Sequence, residues 1–186
     1  MKRTLLAPAL LGLSAIAGAA GFQLSSPDIR SGGTIDPSFE FDGFGCKGQN
    51  RSPALEWSGA PAGTRSVAIT VYDPDAPTGS GWWHWSVIDL PRGPGALPAN
   101  AGAVGGAGLP PGARQIRNDY GVPAWGGVCP PAGDKAHRYI FTVHALKVER
   151  LDIPADATAA LAGYMINANT LGKASFQAAY GRPAAR

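Results

Sequence analysis

The sequence predicts a mainly β domain with one helix packed on the sheet near the C-terminus. Short apolar runs rich in β-branched and aromatic residues recur along the chain, and Gly- and Pro-rich turns separate them. The composition agrees, because 26 Gly, 17 Pro and only 16% charged residues fit a loop-rich β protein better than a helical bundle. The pattern contains no alternation of strands and helices, no repeat and no boundary that indicates a second domain.

The first residues have the layout of a secretory signal peptide. Lys2 and Arg3 form a positive start, an apolar segment follows over residues 5–17, and the small residues at 17–19 suit a signal peptidase. The apolar segment is shorter than the roughly 20 residues that span a bilayer, which argues against a membrane anchor. We therefore expect residues 1–19 to be removed. Residues 20–186 are expected to form a single exported domain, periplasmic or secreted, with no integral membrane segment.

The charge balance argues against one class of partner. The full chain carries 16 Lys and Arg against 13 Asp and Glu, and cleavage would remove Lys2 and Arg3, so the mature chain would be nearly neutral. A nucleic-acid-binding protein usually has a basic stripe, and no cluster of Lys or Arg provides one here. No nucleic-acid partner is expected.

The chain has two cysteines, Cys46 and Cys129. An exported protein folds in an oxidising compartment, where an even pair of cysteines is a candidate disulfide. Two separate buried thiols are the alternative. A disulfide between them would close a long loop and could stabilise the fold by up to about 4 kcal/mol.

The strands are expected in a definite order along the chain. Two short strands come first, at residues 21–29 and 38–41, followed by a loop over residues 43–53. A strand at residues 54–57 ends in a Gly- and Pro-rich turn. Residues 66–72 form a β-branched apolar run typical of a strand buried on both faces, and the two prolines within residues 73–77 end it.

Two further strands are expected at residues 82–90 and 138–146. Residues 92–113, between them, are rich in Gly and Pro and form a long loop. Such loops are often functional, but a surface loop without a function is an equally good interpretation. One helix is expected over residues 154–171, with Asp156 as its N-cap. Its apolar positions have helical spacing and form one stripe: Ala157, Ala160, Leu161, Tyr164, Met165, Ala168 and Leu171.

The histidines can be oriented from the strand pattern. Side chains alternate across a strand, so His84 and His137 can both face one site, whereas His144 points away from His137 and is interpreted as structural. The turn after residue 72 brings Asp73 or Asp75 beside His84, and a carboxylate there would favour the protonated imidazole. A protonated histidine, backbone N–H groups of the turn and a Tyr hydroxyl would together bind an anion.

The tryptophans next to His84 have two interpretations. Trp82, Trp83 and Trp85 could wall such a pocket with apolar surface and indole donors. Aromatic clusters in β proteins are more often part of the core, and an isolated His–Asp pair is more often structural. Composition and spacing alone therefore indicate an exported β-rich domain with a polar pocket as a hypothesis.

Several ordered motifs resemble one family. DPDAP at residues 73–77 and GWWHW at 81–85 resemble the central signature of the phosphatidylethanolamine-binding protein family, and CPP at 129–131, GDK at 133–135 and HRY at 137–139 resemble its second signature. GCKGQNRSP at 45–53, RQ at 114–115 and NDYG at 118–121 resemble its bacterial Raf-kinase-inhibitor-like YbhB/YbcL branch. The resemblance runs from about residue 22 to residue 182.

The resemblance implies both a fold and a pocket. The fold would be antiparallel β-sheets packed as a Greek-key sandwich with a few peripheral helices. The pocket would take phosphate, a carboxylate or a phospholipid headgroup. Matched position by position, its ligand-binding residues would be Asp73, Pro77, Trp82, His84, Pro131, His137 and Tyr139. Asp75 would brace the loop, and the cysteine at position 129, where animal members tend to have glycine, would change the pocket rim.

The expected function is that of a binding protein that modulates a protein partner, with no catalytic residue and no cofactor. A secreted protease inhibitor is the main alternative. A hydrolase that uses Asp73 and His84 as an acid–base pair is less favoured, because the chain has no G-x-S-x-G motif. Metal binding by Asp73, His84 and His137 is weaker still, since the three histidines of the chain include no i,i+4 pair, and no metal site is predicted.

Overall fold

The computed structural model describes residues 21–93 and 95–184 of the 186-residue chain. The predicted signal peptide lies outside these residues. The mainly β fold class is confirmed, and twelve elements follow in chain order. They are β1 Gln23–Ser25, a 3₁₀ turn Pro37–Phe39, β2 Asp42–Gly43, β3 Cys46–Lys47, β4 Leu55–Ser58, β5 Ser66–Asp73, β6 Trp82–Pro91, β7 Gly95–Leu97, β8 Arg114–Gln115, β9 His137–Leu146, α1 Ala159–Asn169 and β10 Thr170–Tyr180.

The strands form a five-stranded sheet, a three-stranded sheet and a two-stranded hairpin. The large sheet has the order β10-β9-β5-β6-β8, the small sheet has the order β1-β4-β7, and β2 pairs with β3. All of these pairings are antiparallel. Within the large sheet the order β9-β5-β6-β8 is that of a Greek key, although the chain passes through β7 of the small sheet between β6 and β8.

Strand β5 is buried on both faces because two cores meet on it. Val67, Ile69 and Val71 point into the main core between the two sheets. Ala68, one residue out of phase, belongs to a second core that α1 covers from the other side. This placement matches the prediction from its β-branched, unbroken apolar run.

Residues 38–41 do not form the predicted strand. Pro37 starts a 3₁₀ turn there, and the Asp36 carboxylate accepts a hydrogen bond from Ser38 N at 2.8 Å. Proline has a fixed φ and no N–H, and an Asp side chain caps such a turn, so local chemistry outweighs the short apolar pattern.

The helix is shorter than predicted and presents a different face. It begins at Ala159, and the hydroxyl of Thr158, not the carboxylate of Asp156, accepts from Leu161 N at 3.2 Å. Ala159, Ala162 and Ile166 are buried, whereas Leu161 and Tyr164 from the predicted stripe are 40% and 70% exposed. The sequence-based assignment of the buried stripe was therefore wrong for most of its positions, although Ala157 is buried and Met165 packs against the same core.

Strand β10 was not predicted, although it pairs with β9 along ten positions. It starts at Thr170, directly after the helix, which explains why the helix ends before Leu171. Its inward residues Phe176, Ala178 and Tyr180 alternate with more exposed ones. That alternation is the period of a half-buried strand and was available in the sequence.

The long segment 92–113 is pinned to the body of the protein at least at its centre. Ala101 is fully buried, and Gly102 N donates to the buried Ser52 hydroxyl at 2.9 Å. None of the described residues of this segment borders the cavity discussed below. No helix among residues 21–93 and 95–184 has the length and apolar composition needed to cross a membrane.

Candidate functional site

A cavity of about 290 Å³ lies at one end of the large sheet. Because neighbouring strands are antiparallel, the end of β5, the starts of β6 and β9 and the end of β10 all meet there. Its lining comprises residues of these strand ends and of three loops: Phe44, Asp73, Ala76, Pro77, Thr78, Trp82, His84, Tyr120, Cys129, Pro130, Pro131, His137 and Arg182.

Asp73 and His137 form a buried pair in the floor of the cavity. His137 Nδ1 donates to Asp73 Oδ2 at 2.8 Å, and both side chains are only 3% exposed. The other carboxylate oxygen of Asp73 accepts from Asp75 N at 2.8 Å. From the sequence, Asp73 or Asp75 was expected to pair with His84. That expectation was wrong, because the first residue of β9 reaches the end of β5 from the other side.

His84 contacts backbone carbonyl groups in place of a carboxylate. Its Nδ1 lies 2.8 Å from Gly126 O and 3.1 Å from Gly127 O. Carbonyl oxygens only accept, so Nδ1 carries the proton, and the ring edge with Nε2 is left to border the cavity. Burial lowers the pKa of His84, against smaller opposing effects of these carbonyl groups and of Asp73. The imidazole of His84 is therefore neutral at pH 7, in contrast to the protonated form expected from the sequence.

Asp75 fixes the loop above the pocket. Its carboxylate forms a two-pronged ion pair with Arg138, at 2.8 Å to Nη2 and 2.9 Å to Nε, and it also accepts from Arg138 N at 2.9 Å. Hydrogen bonds from the guanidinium group hold the pKa of Asp75 well below its usual range. Asp75 lies outside the cavity lining and supports the loop that carries Pro77.

Aromatic side chains form one wall and the rim. Trp82 and Tyr120 meet edge to face with ring centroids 5.1 Å apart, and Tyr120 stacks on Phe41 at 4.1 Å. Phe44 extends this stack outward and is 80% exposed. Trp82 Nε1 is buried and has no acceptor among the described residues. This wall therefore presents mainly apolar aromatic surface to the cavity.

Tyr139 lies behind the cavity and not on its surface. Its ring packs edge to face on His84, with centroids 5.1 Å apart, and it is fully buried. Burial raises the pKa of Tyr139, so its hydroxyl stays protonated. Of the seven ligand-binding residues implied by the resemblance, six line one cavity, and Tyr139 supports His84 from below.

A disulfide and an arginine join the two sides of the rim. Cys46 and Cys129 are bonded, with their Cα atoms 6.0 Å apart. Arg182 donates to Gly45 O at 2.6 Å and to Pro130 O at 3.2 Å, and its Nε lies 3.4 Å from Glu40 Oε1. These contacts tie the β2–β3 hairpin, which carries Phe44, to the opposite wall.

Seven lining residues were absent from the predicted ligand-binding set, and four of them lie within or next to its motifs: Ala76, Thr78, Cys129 and Pro130. The other three are Tyr120, Phe44 and Arg182. Tyr120 stands in the NDYG motif, which therefore held a signal for the site. Phe44 and Arg182 gave no such signal. Phe44 reaches the rim because it and Gly45 form the tight turn of the β2–β3 hairpin, both with positive φ (51° and 78°), a backbone conformation that suits glycine and strains other residues.

His144 lies away from the pocket, as the alternation predicted. It is buried on the opposite face, where its ring nitrogens lie 3.3 Å from the Thr70 hydroxyl and 3.5 Å from the Thr170 hydroxyl. Within residues 21–93 and 95–184, no group of three or more His, Cys, Asp or Glu is arranged to hold a metal ion.

Comparisons with known proteins agree with the motifs. Residues 25–181 match the family model described as phosphatidylethanolamine-binding protein. The UPF0098 protein YbcL of Escherichia coli is 49% identical over 97% of this chain and 98% of that protein. The UPF0098 protein YbhB of the same organism is 45% identical, over 85% of this chain and 99% of that protein.

A relative with a different name and a solved structure extend the comparison. The putative lipoprotein LppC of Mycobacterium tuberculosis is 34% identical over 81% of this chain and 68% of that protein. The crystal structure of E. coli YbcL, described as a new member of the mammalian PEBP family, is 51% identical with a TM-score of 0.84, over 87% of this chain and 99% of that one. The fold is therefore that of these relatives.

Proposed function

Because the chain belongs to the phosphatidylethanolamine-binding protein family, we propose that it is an exported binding protein whose cavity holds a small anion. The ligand would be phosphate, a carboxylate or a phospholipid headgroup, and binding would modulate a partner protein. The observation that carries the proposal is a cavity of about 290 Å³ whose wall and floor bring together Trp82 and two buried histidines, His84 and His137. An apolar pocket with a few convergent polar groups is typical of a small-ligand site.

The geometry favours binding over hydrolysis. The acid–base pair considered from the sequence does not form, because Asp73 contacts His137 and His84 contacts carbonyl oxygens. The described lining contains Thr78 as its one aliphatic hydroxyl, and that hydroxyl is committed to Gly81 O. We therefore propose a ligand-binding role and no catalysis.

The disulfide supports export. A cross-link between Cys46 and Cys129 suits an oxidising compartment, and one relative is called a putative lipoprotein. Expression of the full chain in a bacterial host, followed by fractionation and mass measurement, tests this part. We expect a periplasmic or secreted product that lacks about the first 19 residues and has no free thiol.

Calorimetric titration with inorganic phosphate and with phosphoethanolamine tests the pocket. Trp82→Phe replaces the indole of the cavity wall by a smaller ring, so the ligand loses contact surface and we expect about a fivefold loss of affinity, the equivalent of roughly 1 kcal/mol. Trp83→Phe is the matched control, because Trp83 points to the opposite face and packs on Tyr72 with ring centroids 4.5 Å apart. Equal affinity of both variants, or no binding by the wild type, would contradict the proposal.

A further inference from the structure

The cavity presents hydrogen-bond acceptors where an anion needs donors. Asp73 contributes a carboxylate. The neutral His84 has its proton on Nδ1, facing Gly126 O and Gly127 O, so its cavity-facing Nε2 has a lone pair. His137 uses Nδ1 to donate to Asp73. An anion placed against these groups would meet lone pairs and one negative charge.

The other cations at the site have their charge matched by acids. A proton on His137 would be balanced by the Asp73 carboxylate at 2.8 Å, which leaves little net charge to attract an anion. Arg182 lies beside Glu40, and its guanidinium group already donates hydrogen bonds to Gly45 O and Pro130 O. Among the described residues that line the cavity, His84 is the remaining basic group that can gain an unmatched positive charge and a new donor.

From this arrangement we infer that an anion enters the cavity together with one proton, which His84 takes up at Nε2. The inference rests on the proposed function and defines its ligand as an anion plus a proton. The proton comes from solvent, or from the ligand when the ligand is itself a hydrogen phosphate. The resulting imidazolium donates from Nδ1 to the carbonyl groups and from Nε2 to the anion, so both ring nitrogens are satisfied.

The groups around His84 favour this change once an anion is present. Asp73 from β5 and Asp119 from the loop after β8 both favour the charged imidazole, and burial opposes it. Tyr120 and Tyr139 pack on its ring edge to face and stay neutral, because burial raises the pKa of each. His137 and Arg182, the other basic lining residues, are paired with acids as described above. A bound anion would offset the burial penalty.

Calorimetry with sulfate tests the inference, because sulfate stays fully ionised and brings no proton. The wild-type protein is titrated between about pH 6 and 8, the range in which an imidazole changes charge, in paired buffers of low and high ionisation enthalpy. We expect the heat of binding to reveal close to one proton taken up at the upper end of this range. The affinity should fall about tenfold for each unit of pH there, as uptake of one proton requires.

His84→Gln is the informative variant, because its amide N–H can occupy the place of Nε2 and does not titrate. We expect it to bind sulfate without proton uptake and with an affinity independent of pH. His144→Gln, which changes a buried histidine outside the cavity, should keep the wild-type proton uptake. If His84→Gln does not fold, ¹⁵N spectra of the wild-type His84 ring should change from the Nδ1–H tautomer to the imidazolium when sulfate is added.

The outcomes separate this inference from the proposed function. Wild-type binding without proton exchange would overturn the inference and leave anion binding intact. Proton uptake that persists in His84→Gln, or a His84 ring that stays neutral in the saturated protein, would also overturn it. Failure of both sulfate and phosphate to bind at every pH would overturn the proposed function and this inference with it.

Discussion

His144 shows at the scale of one residue how burial makes stability depend on pH. Its side chain is held between two threonine hydroxyls, and burial, with a smaller effect of the Lys173 ammonium, lowers its pKa to about 4 from an ordinary value of 6.5. Below pH 6.5 the unfolded chain therefore binds a proton at this position that the folded chain does not. The stabilising contribution of neutral His144 is complete above pH 6.5 and is lost as the pH falls towards 4.

We expect the free energy of unfolding to fall by about 1.4 kcal/mol for each unit of pH over this window because of His144 alone. Urea titrations of wild type and His144→Gln between about pH 4 and 7 measure this directly. In the variant, the number of protons taken up on unfolding in this pH range should be smaller by about one. An unchanged slope would mean that His144 is protonated in the folded protein.

The pocket residues differ in how far the sequence could place them. Asp73, His84 and His137 stand at strand ends, where side-chain alternation and one turn are enough to bring them to the same region. The partner of each histidine could not be predicted, because Asp73 can be reached from either neighbouring strand and the carbonyl groups of Gly126 and Gly127 belong to a loop. Such contacts depend on the tertiary path of the chain, which local patterns do not encode.

At the scale of the element, the turn between β5 and β6 holds the first wall of the pocket. Gly81 has φ of +71°, and a Cβ at that position would overlap the Tyr72 hydroxyl and lie 2.6 Å from Asp73 O. Gly79 in the same turn has a similar φ of +82° but no atom within 4 Å of its Cβ position. Alanine at position 79 would therefore introduce backbone strain alone, whereas alanine at position 81 would introduce backbone strain and steric overlap.

We expect Gly79→Ala to cost about 1 kcal/mol, the penalty of a side chain in the left-handed region. Gly81→Ala should cost about 3 kcal/mol, because overlap adds to the same penalty, and it should weaken anion binding by displacing Asp73 and Trp82. Thermal unfolding and phosphate titration of the pair provide the test. Equal losses in both variants would show that the turn relaxes freely around Gly81.

The helix and the last strand show why some elements were mispredicted. Leu161 and Tyr164 have the spacing of a buried stripe, yet the sheet accepts Ala159, Ala162 and Ile166. Trp83 lies 3.6 Å from the Cβ position of Gly163, so the large side chain at this helix–sheet contact comes from the sheet and the helix contributes a small residue. The first half of strand β10 gives no clear strand pattern, because Gly172 and Lys173 interrupt it, although Phe176, Ala178 and Tyr180 alternate as a strand requires.

At the scale of the whole molecule, the disulfide joins segments 83 positions apart in sequence. Replacing both cysteines by serine should lower the free energy of unfolding by about 4 kcal/mol, because the unfolded chain gains the freedom of that loop. Denaturant titration of the double variant measures the loss, and wild type with reductant should show the same loss. The β2–β3 hairpin would also be freed from one wall, so anion affinity should fall. Unchanged stability would contradict this account.

The lining of the cavity runs in sequence from Phe44 to Arg182, so residues far apart along the described chain meet in it. No fragment that lacks either end of this span can assemble the site, so a bound anion reports that the molecule is intact and completely folded. The same dependence works in reverse. A ligand at concentrations well above its dissociation constant would therefore stabilise the folded protein, because it binds the folded state and not the unfolded state.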